Sequence, residues 1–163
     1  MKLSFMIKHH FFNAFRELFV HHHGSLEFRA KLFALIITAN EESPLDAYLL
    51  VKDIGLKIYN NDEDRANLLM LSTKELVQKI KEDNGLDIDI MVSNIQKELR
   101  IVPRYAKKID IDSLRRFIHL SRDEDAISYQ ENILEFLQTL KEETLYTQKS
   151  QIAIDEENLT RKY

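Results

Sequence analysis

Leu114-Arg-Arg-Phe-Ile-His-Leu-Ser-Arg-Asp-Glu-Asp-Ala-Ile-Ser-Tyr-Gln-Glu131, running on into Ile133, Leu134, Phe136 and Leu137, is the stretch whose reading decides the fold. An apolar helix ends in the carboxylates Asp123, Glu124 and Asp125, and Ser128-Tyr-Gln-Glu131 has the form of a capping box that opens the next helix. In such a box the Ser side chain accepts from a backbone N–H three residues on and the Glu reaches back, so two orphan donors are satisfied. A fainter copy is Lys31-Leu-Phe-Ala-Leu-Ile-Ile-Thr-Ala-Asn-Glu-Glu-Ser-Pro-Leu-Asp46, running on into Tyr48, Leu49 and Val51. Sliding the chain on itself by 85 positions (128 − 43) pairs Ser43 with Ser128 and Asp46 with Glu131. The same shift pairs Leu32 with Phe117, Leu35 with Leu120 and Leu49 with Leu134. The expectation is a compact all-α domain of about seven helices, with two pseudo-repeated helix–acidic loop–helix units around one core.

Working outward, Phe11, Phe12, Phe15, Leu18 and Phe19 recur at helical spacing and predict a first helix over about 9–22, ended by Gly24. A second helix is predicted over about 26–39, with Phe28, Leu32, Leu35 and Ile36 on its inner face. Ser43-Pro44-Leu45-Asp46 reads as an N-cap, a Pro at the first helical position and an acid at the third, opening a helix to about Tyr59. Asn60-Asn61-Asp62 is a turn, and the long fourth helix faces Ala66, Leu69, Met70, Leu76, Val77 and Ile80 inward before an Asn84-Gly85 C-cap. Helices over about 87–101, 110–121 and 128–143 follow, with Pro103 marking an end or a kink. From Thr144 the periodicity fades, and the tail reads as mobile or partner-dependent, with a short helix near 155–162. The organisation expected is an N-terminal amphipathic helix in 1–25, a helical domain in 26–143 and a polar C-terminal tail in 144–163.

Composition narrows the function classes. A chain of 163 residues, 44% hydrophobic and 31% charged, has the balance of a globular domain long enough to bury a core. No Cys means no disulfide, no thiolate catalysis and no cysteine-bound metal. Three isolated glycines build neither a phosphate-cradling loop nor a dinucleotide fingerprint, and there is no Gly-x-Ser-x-Gly elbow. With no site showing, the chain reads as not an enzyme and needing no cofactor. The net charge of −4 divides into +3 over residues 1–40 and −7 over 41–163. The longest apolar run, Leu32 to Ala39, falls far short of the roughly 20 residues that span a bilayer. The N-terminus makes a poor signal peptide because Lys8, His9, His10, Asn13 and Arg16 interrupt it, so the expected location is cytoplasmic.

The candidate metal ligands are Asp123, Asp125 and Glu131, since hard divalent cations want several oxygens converging from a flexible loop. An EF-hand count from Asp123 fails, because it puts Ser128 where Gly is required and Leu134 where the bidentate Glu belongs. The plainer role of these acids is to favour a helix N-terminus. His9-His10 and His21-His22-His23 are neighbours that point about 100° apart on a helix, and they lack the i, i+4 spacing of zinc-binding helices. His119, within an apolar stretch, reads as a partnered, half-buried residue. Lys97, Arg100, Arg104, Lys107, Lys108, Arg115 and Arg116 form the one basic stretch of the body. With acids interleaved and the domain acidic overall, these read as solvated charges paired with neighbours, not as a nucleic-acid surface. Five Phe with Lys2, Lys8 and Arg16 near the N-terminus suit a helix packed on the domain, or one lying on an anionic membrane.

At these residues the chain resembles the TerB-like family, the all-helical domain of tellurite-resistance proteins that also occurs in co-chaperone N-termini. Members carry a helix, an Asp-Gly loop, a Ser/Thr cap and a Glu three residues after it, the pattern occupied here by Glu124-Asp-Ala-Ile-Ser128-Tyr-Gln-Glu131. The run Asp87-Ile-Asp-Ile-Met-Val-Ser-Asn-Ile-Gln-Lys-Glu-Leu99 is similar to the family's middle helix, and the covered span is about 26–142. Asp125 stands where the family usually has Gly and Glu124 where it has Asp, and the first loop, Ala39-Asn-Glu-Glu42, also lacks Gly. The resemblance implies a cytoplasmic, stress-associated helical module with protein contacts and divalent-metal binding at acidic loops. The reading is therefore a non-enzymatic protein-interaction and stress-response module, binding another protein or a second copy of itself through the Asp123–Asp125 loop, the Asn40–Glu42 loop and the tail. Two other readings stay open: a divalent-cation sensor using residues 123–131, and a peripheral membrane-surface protein attached through residues 1–22.

Overall fold

One helix of this chain is apolar on every side through its second half, and the rest of the domain is arranged to cover it. In a computed structural model, which describes residues 24–42, 44–82 and 87–162, that helix is α1, Gly24–Thr38. Leu26, Phe28, Ala30 and the unbroken run Leu32 to Ile37 are all buried, although the sequence predicted a single inner face. A helical run with no polar stripe, as over 32–37, has to be central. Here α1 is packed by α3 (Glu63–Lys81), α4 (Ile88–Ile101), the 3₁₀ segment Pro103–Lys108, α5 (Ile111–Ile118) and α6 (Glu124–Arg161). Its one basic residue at the heart of this packing, Lys31, is tethered to Glu98 of α4 at 3.0 Å.

The described residues form seven helical segments and no strand, as the sequence leads one to expect of an all-α domain. Local chemistry sets most of the boundaries. Asp62, Asp87 and Asp110 cap α3, α4 and α5 by accepting from the backbone N–H of Arg65, Ile90 and Ser113 at 3.1, 2.7 and 3.2 Å. Asn60 and Asn61 make the turn into α3 with φ of 53° and 65°, a left-handed conformation that Asn tolerates better than most residues. Pro103, which cannot donate to a helix, follows the end of α4 and starts the 3₁₀ segment.

α2 (Leu45–Ile58) and α3 form an antiparallel hairpin that packs on α1 through α3. Gly55 is where the two hairpin helices approach most closely: a Cβ there would meet the Ala66 Cα at 3.1 Å and the Leu69 Cδ2 at 3.3 Å. Gly55→Val is expected to destabilise the fold by about 1–3 kcal/mol, because the obstacle is backbone and overpacked cores relax poorly. A urea midpoint equal to that of the wild type would show that the two helices simply move apart.

Several boundaries differ from the sequence reading. Gly24 is the first residue of α1, where the sequence predicted a start near 26. Pro44 is the residue before α2, with extended backbone at ψ 153°, and Leu45 is the first helical position. Ser128 is not a cap at all. α6 starts at Glu124 with Asp123 as its N-cap residue, so Ser128 and Glu131 lie inside the helix and the two units do not align through their caps. The acids Glu124 and Asp125 are first-turn residues favoured by the helix dipole, and Ala126 behind them is buried. At the other end α6 runs unbroken to Arg161, where the sequence predicted a tail from Thr144. Gly and Pro are absent after Pro103, and Gln151–Asp155 and Arg161–Glu157 pairs at i, i+4 support the extension. The helix expected over 9–22, the histidines at 9–10 and 21–23, the Ser43 cap and the Asn84-Gly85 cap lie outside the described residues.

Candidate functional site

The acidic residues that the sequence singled out do not converge. Once α6 begins at Glu124, helix geometry places Asp125 and Glu131 about 9 Å apart along the axis and on different faces. Oxygen ligands of a calcium ion stand about 2.3–2.6 Å from it, a spacing to which the helix itself does not bring these two. Glu131 instead faces Arg115 of α5 across 3.3 Å, an exposed pair of the kind worth about 0.2–1 kcal/mol. Among the described residues, no group of three His, Asp or Glu side chains is placed to hold a metal ion. His119, expected to be half-buried, is exposed at the C-terminus of α5.

The Asn40–Glu42 loop borders α5 and the first turns of α6. Asn40 and Pro44 line a small cavity of about 10 Å³ together with Phe117, Leu120 and Gln130. Asn40 is buried and its Oδ1 accepts from the Glu42 N–H at 3.2 Å, while Lys81 Nζ donates to the Glu41 carbonyl at 3.1 Å, so this loop is braced from within. The C-terminal part of α6 is far from it. With 38 residues α6 is about 57 Å long. The loops and the tail therefore do not form one continuous surface.

That distal half of α6 carries the clearest exposed apolar surface. Residues 151–162 are all exposed, and Ile152 and Leu159 keep 52% and 59% of their surface in solvent. They are seven residues apart and in line with Leu145, which packs on the edge of the core, so the stripe leaves the domain without a break. Between this helix and α4 runs a groove of about 600 Å³, with Leu99, Pro103, Leu140 and Ile152 on its walls. The polar groups along it are mostly uncharged, among them Gln96, Thr144, Thr147 and Gln148.

A second concavity is charged. A cavity of about 210 Å³ between α1, α2, the 3₁₀ segment, α5 and α6 is lined by Arg29, Lys107, Lys108 and Lys141 together with apolar residues that include Leu32 and Ile54. The basic stretch read from the sequence thus divides in two. Arg115 and Arg116 pair with Glu131 and Asp53, as expected of solvated charges. Lys107 and Lys108 have no ion-pair partner among the described residues and turn to this cavity. Burial, followed by the nearby guanidinium groups of Arg29 and Arg104, pushes the Lys108 ammonium below its usual range. Arg29 and Lys141 were missed in the sequence, for they reach the cavity from helices 78 and 34 positions from Lys107 (107 − 29 and 141 − 107).

No family model, curated protein or solved structure matches the chain. Among the described residues, no helix is long and apolar enough to cross a membrane.

Proposed function

We propose that this chain is a non-enzymatic protein-interaction module, and that the distal half of α6 with the groove beside it receives a helix of the partner. The observation that carries the reading is the unpartnered Ile152–Leu159 stripe on a helix that leaves the domain. Most of a helix's stability in a protein comes from packing an apolar face, and the last turns of α6 leave theirs exposed. An amphipathic helix laid into a groove between two others is a common recognition mode, anchored by side chains one and two turns apart. The TerB-like resemblance gives the module its cytoplasmic, stress-associated setting.

The test is a photo-crosslinking amino acid at position 152 of the full chain in its native cell, compared with one at exposed Lys57 on α2. A discrete adduct is expected from position 152 and not from 57, and Leu159→Asp should abolish it. The same Leu159→Asp substitution is expected to change stability by no more than about 0.5 kcal/mol, since the side chain lies on the solvent-exposed end of α6. An adduct of the chain with itself would make the partner a second copy, which sedimentation across a hundredfold range of concentration would register as a dimer. Adducts that are equal at 152 and 57 would sink the proposal.

A further inference from the structure

We propose that the cavity lined by Arg29, Lys107, Lys108 and Lys141 is a binding site for the phosphate group of a small organic phosphate monoester. Four cationic side chains come together there from three separate segments, α1, the 3₁₀ segment and α6, in a chain whose net charge is −4. The one carboxylate among the described residues of the lining is Asp110, and its oxygens are already engaged. Its Oδ1 accepts from the Ser113 N–H at 3.2 Å and its Oδ2 from the Ser113 hydroxyl at 2.6 Å, as the cap of α5. Lys141 is fixed in place by donating to the Ile109 carbonyl at 2.7 Å, which leaves two of its three ammonium hydrogens for a ligand.

Gathering four like charges around a single carboxylate costs stability, so the arrangement asks for a further anion to complete it. Burial and the field of Arg29 and Arg104 on Lys108 have the same sign: both disfavour its charged form in the empty protein. A dianionic phosphate answers the charge better than a carboxylate, with three oxygens for several point-like ammonium groups and a planar guanidinium. The apolar lining calls for an organic body as well. Leu32, Ile54 and Leu114 line the interior, so an ester with a short apolar group would cover carbon that bare phosphate leaves wet. The volume of about 210 Å³ admits such a molecule and excludes a folded macromolecule.

The full chain would be titrated with phenyl phosphate, inorganic phosphate and benzoate by calorimetry at fixed ionic strength. Saturable binding is expected in the order phenyl phosphate, then phosphate, then benzoate. Lys108→Met should weaken phenyl phosphate by roughly tenfold or more, the worth of one charge-assisted hydrogen bond. That variant also guards against simple misfolding. It removes a charge the folded state disfavours, so its melting temperature is expected at or above that of the wild type. Lys57→Met, on the exposed side of α2, should bind as the wild type does. Flotation with phosphatidylcholine vesicles, with and without phosphatidic acid, separates a lipid headgroup from a soluble ester. Binding to the acidic vesicles that phenyl phosphate displaces would assign the site to a lipid, and phenyl phosphate binding without vesicle binding to a metabolite. The absence of saturable binding, or equal binding by the wild type and Lys108→Met, would overturn the proposal.

Discussion

Phe117→Ala is expected to lower the free energy of unfolding by about 3–5 kcal/mol, a large share of the 5–15 kcal/mol that holds a domain of this kind together. Phe117 lies on α5 with 2% of its surface exposed, and its ring centroid is 5.5 Å from that of Phe33 on α1. The loss has two sources. One is the transfer free energy of a buried aromatic ring, and the other is the void left where the neighbours fail to collapse. Collapse is hindered here because Ile37 and Ala47 belong to helices already packed elsewhere, and because a cavity of about 10 Å³ at Phe117 would merge with the new one. Phe117→Leu keeps most of the volume and should cost far less, within about 1.5 kcal/mol. Urea titrations of both variants, followed by circular dichroism, would settle it. An alanine variant within about 1 kcal/mol of the wild type would mean that α5 is not a structural part of the core.

How much of this was legible in the sequence depended on whether one residue or several decided the outcome. Where a single side chain closes a helix end, the pattern was sufficient: the Asn60-Asn61-Asp62 turn and the break at Pro103 stand where the spacing placed them. The inner positions Met91, Ile95 and Leu99 of α4 also fell where a 3.6 period puts them. The start of α6 was misread because two valid N-terminal signals compete within one turn and a half. Asp123 followed by Glu124 and Asp125 suits a helix start as well as Ser128 with Glu131 does. Burial of Ala126 against the core decides between them, and no local pattern reports that. The extension of α6 past Thr144 was hidden for the opposite reason. A mostly solvated helix shows one apolar residue every two turns here, too sparse a period to stand out, and the run of helix formers without Gly or Pro was the other hint of it.

The two candidate surfaces follow the same division. Ile152 and Leu159 were visible as residues but not as a stripe, since the sequence predicted only a short helix near 155–162 and no continuous helix from the domain to it. The charged cavity shows a half-legible case. Lys107 and Lys108 stood in the basic stretch, where the ordinary expectation of neighbouring ion pairs was met by Arg115 and Arg116. What distinguished the lysines was the arrival of Arg29 and Lys141 from distant helices, which is a property of the packing alone.

Gln130 shows the same lesson inside the core, and its loss is expected to cost about 2–4 kcal/mol as Gln130→Ala. The residue sits on the inner face of α6 with 1% of its surface exposed, a polar group amid Ile133, Leu134 and Phe117. Its amide Nε2 donates to the Ile36 carbonyl at 3.0 Å, and its Oε1 accepts from the Ser121 hydroxyl at 2.7 Å. The orientation of the amide is fixed by its partners, because a carbonyl oxygen only accepts. Ile36 lies in the last turn of α1, where carbonyls have no partner within the helix. One side chain therefore finishes the C-terminus of the central helix from 94 positions away and ties the turn before α6 to both. Alanine leaves a buried carbonyl and a buried hydroxyl without partners and adds a cavity. Methionine fills the space but not the bonds, so Gln130→Met should lose about 1–3 kcal/mol, and the gap between the two variants isolates the packing. Combined with Ser121→Ala, the losses should fall short of additive by about 0.5–1.5 kcal/mol, since both substitutions remove the same bond. If Gln130→Met unfolded at the same urea concentration as the wild type, the amide would be a passenger. The end of α1 would then be held by packing alone.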